Sequence, residues 1–140
     1  MQVNHTLTKE IGSIRGMHLQ CSPHSEIKLV SCIKGEILDV AIDLRKKSPT
    51  FLQWHAELLT EKNHKTLIVP EGFAHGFQSL TANCEILYFV TAPYAPESER
   101  GINPLDPTVG IEWPINITNI SKKDRALTFI DKETYKGVEY

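Results

Sequence analysis

Between Ile27 and Thr91 the chain is cut into short apolar runs by turn signals, and almost none of it has a helical period. The clearest run is Ile37 to Leu44, where Leu38, Val40, Ile42 and Leu44 alternate with Asp39, Ala41 and Asp43. Alternation at period two puts each set on its own face of a strand, and this mixture predicts a strand buried on one side. Ile27 to Ile33 and the turn Lys34-Gly35-Glu36 precede it. Phe51 to Leu59 alternates again, with Leu52, Trp54, Ala56 and Leu58 on one face. Thr66 to Val69, Phe77 to Leu80 and Glu85 to Thr91 follow, divided by Pro70-Glu71-Gly72 and Thr81-Ala82-Asn83. Short strands at this spacing predict an antiparallel sandwich or barrel. The first ten residues are polar, and the chain after Pro93 reads as loop. Only Ser121 to Leu127, with Ser121 as N-cap, reads as a short helix.

With 140 residues and no composition shift, the chain reads as one domain spanning 1–140. Its net charge of −2 gives no attraction to nucleic acid or to an anionic membrane. No apolar run approaches the ~18 residues of a membrane span, and the polar start lacks the apolar centre of a signal peptide. Cys21, Cys32 and Cys84 form an odd set without C-x-x-C spacing, which argues against a disulfide framework or structural zinc and for the cytoplasm.

Two stretches carry chemistry. In Ile14 to Gln20, strand alternation predicts Ile14, Gly16, His18 and Gln20 on one side and Arg15, Met17 and Leu19 on the other. A histidine beside a glycine on an apolar face is either a satisfied core histidine or a base at the floor of a pocket. The second stretch, Pro70-Glu71-Gly72-Phe73-Ala74-His75, has the P-x-G-x-x-H form of the cupin jelly roll, whose turn delivers the histidine to the barrel interior. His18 and His75 alone do not make a metal site, which needs three or four convergent ligands, so no metal is expected. Asp39 and Asp43 read as structural partners for arginine or backbone.

Arg15-Gly16-Met17-His18, Lys28-Leu29-Val30, Gly35 to Arg45, Ser48-Pro49-Thr50-Phe51, Pro70 to Phe77 and Gly110-Ile111-Glu112-Trp113-Pro114 follow one another in order. Together they resemble the dTDP-4-dehydrorhamnose 3,5-epimerase family, from Gln2 to about Leu127. The resemblance implies an all-β, antiparallel, cupin-like jelly-roll sandwich with a short C-terminal helix. It also implies a metal-independent isomerase that needs no cofactor, acts on a dTDP-linked 4-keto-6-deoxy sugar in rhamnose biosynthesis, and works as a homodimer. By position, His18 matches the family's base and Asp124 the aspartate that orients it. Lys28 matches the lysine beside the C4 oxygen, and Tyr88 the acid on the opposite face. Arg15, His75, Gln2, Asn4, Tyr94 and Glu99 match substrate contacts.

The chain departs from the family at its start, where members carry a further segment of about 45 residues that grips the nucleotide. Other functions therefore stay open: a 3,4-ketoisomerase of the same fold, or a non-catalytic sugar-nucleotide binder or partner protein. A pure binder needs no proton relay, however, and the set His18, Lys28, Tyr88 and Asp124 is complete.

Overall fold

The computed structural model describes residues 1–140. Ten strands run in chain order: β1 (Gln2–Thr8), β2 (Ser13–Gln20), β3 (Lys28–Lys34), β4 (Glu36–Asp43), β5 (Trp54–Thr60), β6 (Thr66–Val69), β7 (Phe73–Ser79), β8 (Cys84–Val90), β9 (Glu99–Gly101) and β10 (Asn119–Ile120). One short helix, α1 (Lys122–Arg125), follows. No helix is long and apolar enough to cross a membrane.

The strands form two sheets. One has the order β1-β8-β3-β6; the other has the order β10-β2-β7-β4-β5, with β9 also paired to β2. Apart from the β4-β5 hairpin, consecutive members of the eight longer strands lie in opposite sheets, and all eight pair antiparallel, the winding of a jelly roll. Only the two-residue β10 lies parallel to its neighbour β2.

One apolar cluster, containing Val30, Cys32, Ile37, Ala41, Leu59, Phe77 and Ile86, fills the space between the sheets. A second, containing Met17, Leu19, Val40, Ile42, Leu44 and Ala74, lies on the far side of the larger sheet. Ile102, Val109, Trp113, Tyr135 and Val138, from the chain after β9, cover it. The loop-like C-terminal third therefore serves as the outer layer of this sheet.

That layer corrects the expected half-burial of β4. Val40, Ile42 and Leu44 go outward under the C-terminal layer, while Asp39 and Ala41 face the other sheet, and all five are buried. A second finding concerns the polar first ten residues, of which Gln2–Thr8 form β1. Gln2, Asn4 and Thr6 turn inward and Val3, His5 and Leu7 outward, so an apolar-in pattern is missing although the strand is fully paired with β8. A third is that β7 starts at Phe73. After the turn at Gly72, whose φ is +77°, the chain pairs at once with β4, Phe73 opposite Asp43 and His75 opposite Ala41.

Candidate active site

The site begins with an irregularity in β2. Arg15 pairs with Phe77 and His18 with His75, so three steps along β2 match two along β7. The extra residue is a β-bulge, and it reverses the alternation across it. Phe77 and His75 are two apart and share a face, so Arg15 and His18 share that face as well. Arg15 lines the cavity between the sheets beside His18 and donates from Nε to Thr8 Oγ1 at 3.1 Å. The expectation that Arg15 would lie with Met17 and Leu19 on the other side is thus overturned by one inserted residue. Gly16 makes the bulge possible. Its φ is +113°, and a Cβ there would stand 2.6 Å from the His75 carbonyl oxygen and 2.7 Å from the Gly76 Cα.

His18 and Asp124 meet 2.6 Å apart, Nε2 to Oδ1. Asp124 comes from α1, where Ser121 caps the helix by accepting from the Asp124 N–H at 3.0 Å. β10 ties this region to β2, and the Gly16 N–H donates to Asp124 Oδ2 at 3.2 Å. Burial alone would push the Asp124 carboxyl up, but hydrogen bonds from His18, Gly16 and Ser121 hold it below the usual carboxylate value. An ionised carboxylate only accepts, so His18 Nε2 carries the proton of this bond and Nδ1 is the ring nitrogen left free of Asp124.

A second pair lies beside the first. His75 Nε2 and Asp39 Oδ1 are 2.7 Å apart, and Asp39 Oδ2 is buried without a hydrogen-bond partner. Asp39 is therefore an imidazole's partner, which corrects its reading as an arginine or backbone partner. That reading holds for Asp43, which takes two hydrogen bonds from the Arg45 guanidinium and one each from the Ser48 and Thr50 hydroxyls.

The other sheet supplies the opposite wall. Tyr88 on β8 sits between Asn4 on β1 and Val30 on β3, and Lys28 lies two residues along β3 from Val30. Two lobes open between the walls, of about 340 and 330 Å³. Arg15, His75, Asp124 and Lys123 line the first, and Gln2, Asn4, Glu26, Tyr94 and Glu99 the second. His18, Lys28 and Tyr88 line both and form the neck between them. All ten residues singled out in the sequence thus border one continuous cavity. Burial pushes the Tyr88 phenol above its usual value, Glu26 adds to the rise, and Arg15 opposes it.

Two charged lining residues have no role in the sequence reading. Lys123 donates to Glu99 Oε2 at 2.6 Å, and Glu99 also accepts from the Tyr94 hydroxyl at 3.3 Å. Glu26 makes an ion pair with Lys28, Nζ to Oε1, at 3.2 Å. Period-two spacing in Glu26-Ile27-Lys28 was the available signal for the second of these.

The fold and cavity define a jelly-roll protein with a cavity between its sheets that is lined by two histidine–aspartate pairs, a tyrosine and a lysine. The family model described as dTDP-4-dehydrorhamnose 3,5-epimerase matches residues 1–132. A protein of that description from Sinorhizobium fredii is 46% identical over 125 residues, 89% of this chain and 64% of the relative. One from Salmonella typhimurium is 44% identical over 133 residues, 94% of this chain and 72% of the relative. The solved Bacillus anthracis enzyme of the same description, with TDP and PPi bound, superposes with a TM-score of 0.90 at 40% identity, over 93% of this chain and 74% of that one. The chain belongs to the dTDP-4-dehydrorhamnose 3,5-epimerase family, and it spans about two thirds to three quarters of the length of these relatives.

Proposed function

We propose that this protein inverts C3, C5 or both carbons of a dTDP-linked 4-keto-6-deoxy sugar, as a step of rhamnose or related deoxysugar biosynthesis. The observation that carries the reading is the neck of the cavity, where an aspartate-held imidazole from one sheet meets a phenol and an ammonium from the other. A C–H bond beside a ketone is weakly acidic. His18 Nδ1 takes that proton, the electron pair moves into the C4 carbonyl, and the Lys28 ammonium stabilises the resulting enolate oxygen. When the enolate collapses, the carbon takes its new proton from the Tyr88 phenol on the other wall, and its configuration inverts. Water then reprotonates the phenolate and removes the proton from the imidazolium, which restores both groups.

Relatives support the substrate class. A Legionella pneumophila epimerase, 40% identical with a TM-score of 0.90, is solved in complex with dTDP-4-keto-L-rhamnose. ChmJ from Streptomyces bikiniensis, 33% identical with a TM-score of 0.86, is a 3'-monoepimerase solved with dTDP-quinovose, so one-carbon inversion also occurs on this scaffold. In our reading Arg15 faces the pyrophosphate, Tyr94 is the platform beneath the sugar, and Gln2, Asn4, His75 and Glu99 are further substrate contacts. The reading includes a homodimer, since β1 is an edge strand with Val3 and Leu7 exposed. It also includes a cytoplasmic location, which suits three unpaired thiols.

The test is proton exchange. The protein is incubated with dTDP-4-keto-6-deoxyglucose in deuterated water, and C3 and C5 are followed by NMR. Deuterium is expected at one or both carbons, together with inverted product. Absence of label at both overturns the reading.

A further inference from the structure

Glu26 precedes β3 by two residues, so in extended chain its side chain turns to the same wall as Lys28. The two meet with Oε1 3.2 Å from Nζ, and only 9% of the Glu26 side chain and 12% of the Lys28 side chain remain exposed. An ammonium on a four-carbon stem is a mobile charge unless something holds it. Here the holders are the Glu26 carboxylate and the His18 carbonyl oxygen, which accepts from Nζ at 3.4 Å.

A fixed negative charge is an odd occupant for a cavity read as binding a nucleoside diphosphate, because it works against the ligand. The other carboxylates of the site have partners elsewhere: Asp124 has His18 and Gly16, Asp39 has His75, and Glu99 has Lys123 and Tyr94. Glu26 alone is paired with the ammonium at the neck, and it lines the same lobe as Tyr88.

We infer that Glu26 is a positioning residue: its carboxylate fixes the Lys28 ammonium at the neck and sets a negative charge facing the Tyr88 phenol. The inference rests on the proposed roles of Lys28 and Tyr88. A negative charge beside a phenol disfavours the phenolate, so Glu26 offsets the pull of Arg15 toward the ionised form. The charged and titratable groups around Tyr88 are Arg15 and His18 on β2, Lys28 and Glu26 at β3 and His75 on β7. Tyr94 after β8, Glu99 on β9 and Lys123 and Asp124 on α1 complete the set. Of these, Glu26 is the one whose charge raises the phenol, after burial, and Arg15 opposes it.

Two variants and two measurements test this. Glu26→Gln keeps the shape and removes the charge; Glu26→Asp keeps the charge but is too short to hold Lys28. In substrate-free protein labelled at tyrosine Cζ, with the Tyr88 signal identified by its loss in Tyr88→Phe, the midpoint of Tyr88 should fall in Glu26→Gln. It should stay near wild type in Glu26→Asp. In turnover, both variants should lose kcat by roughly 10-fold or more, with KM for the dTDP sugar unchanged or lower. A Tyr88 midpoint unmoved in Glu26→Gln overturns the inference, whatever the activity. If Glu26→Gln does not fold, Glu26→Asp decides: wild-type kcat there overturns it, and reduced kcat with an unmoved Tyr88 midpoint supports it. If the midpoint moves as expected while the wild-type protein exchanges no deuterium into substrate, the pairing of Glu26 with Tyr88 is supported and only the epimerase reading falls.

Discussion

His18 is held by one carboxylate, and under the proposed mechanism the two residues should fail in different ways. His18→Ala removes the group that takes the proton, so solvent exchange should fall by ~10²–10⁴-fold while affinity for the nucleotide stays near wild type. Asp124→Asn keeps the imidazole but loses the charge that fixes its tautomer and balances the imidazolium, so its exchange rate should lie between wild type and His18→Ala. Exchange rates and nucleotide binding in the two variants check this; a normal rate in Asp124→Asn contradicts the pairing. His18 and Asp124 were both found by position in ordered motifs. No local signal could have joined them, because they are 106 residues apart and meet only where α1 is tied to β2.

At the scale of elements, β2 and the loop after β4 carry the account. Gly16→Ala should lower stability and activity together, because a Cβ at φ +113° meets the His75 carbonyl oxygen at 2.6 Å and pushes apart the strands that align Arg15 with His18. Thermal melting and turnover measure both effects. The loop depends on Asp43, whose burial is outweighed by bonds from Arg45, Ser48 and Thr50, so its carboxyl stays far below the usual value of 3.8. A carboxyl lowered on folding contributes stability above its unfolded value, and the contribution is lost as pH falls from about 4 downward. Asp43→Asn should therefore cost about 3 kcal/mol near neutral pH and show a flatter decline in melting temperature below pH ~4 than wild type. Strand existence was legible in these regions, since alternation survives in β3, β4, β5 and β8. The bulge was not, because one inserted residue leaves no mark on composition. Nor was β1, because a strand whose polar face lines a cavity loses the apolar-in pattern by which strands are recognised.

At the scale of the whole molecule, the jelly roll brings β2 and β8 face to face and so places His18 on one wall and Tyr88 on the other. Fold class was legible because turn signals and strand lengths fix it, whereas the C-terminal layer was not, since its apolar residues are scattered among prolines and have no period. Light scattering at micromolar protein should give twice the chain mass of 15.8 kDa, and a monomer contradicts the proposed dimer.

The central claim is that the proton leaves toward one wall and returns from the other. Tyr88→Phe separates these steps, because it spares His18 and removes only the returning acid. The measurement follows deuterium entry and product configuration together, by NMR, in this variant acting on dTDP-4-keto-6-deoxyglucose. Label should still wash into the substrate carbon while inversion falls by ~10²–10⁴-fold. Loss of exchange and inversion in equal measure would contradict the two-wall assignment.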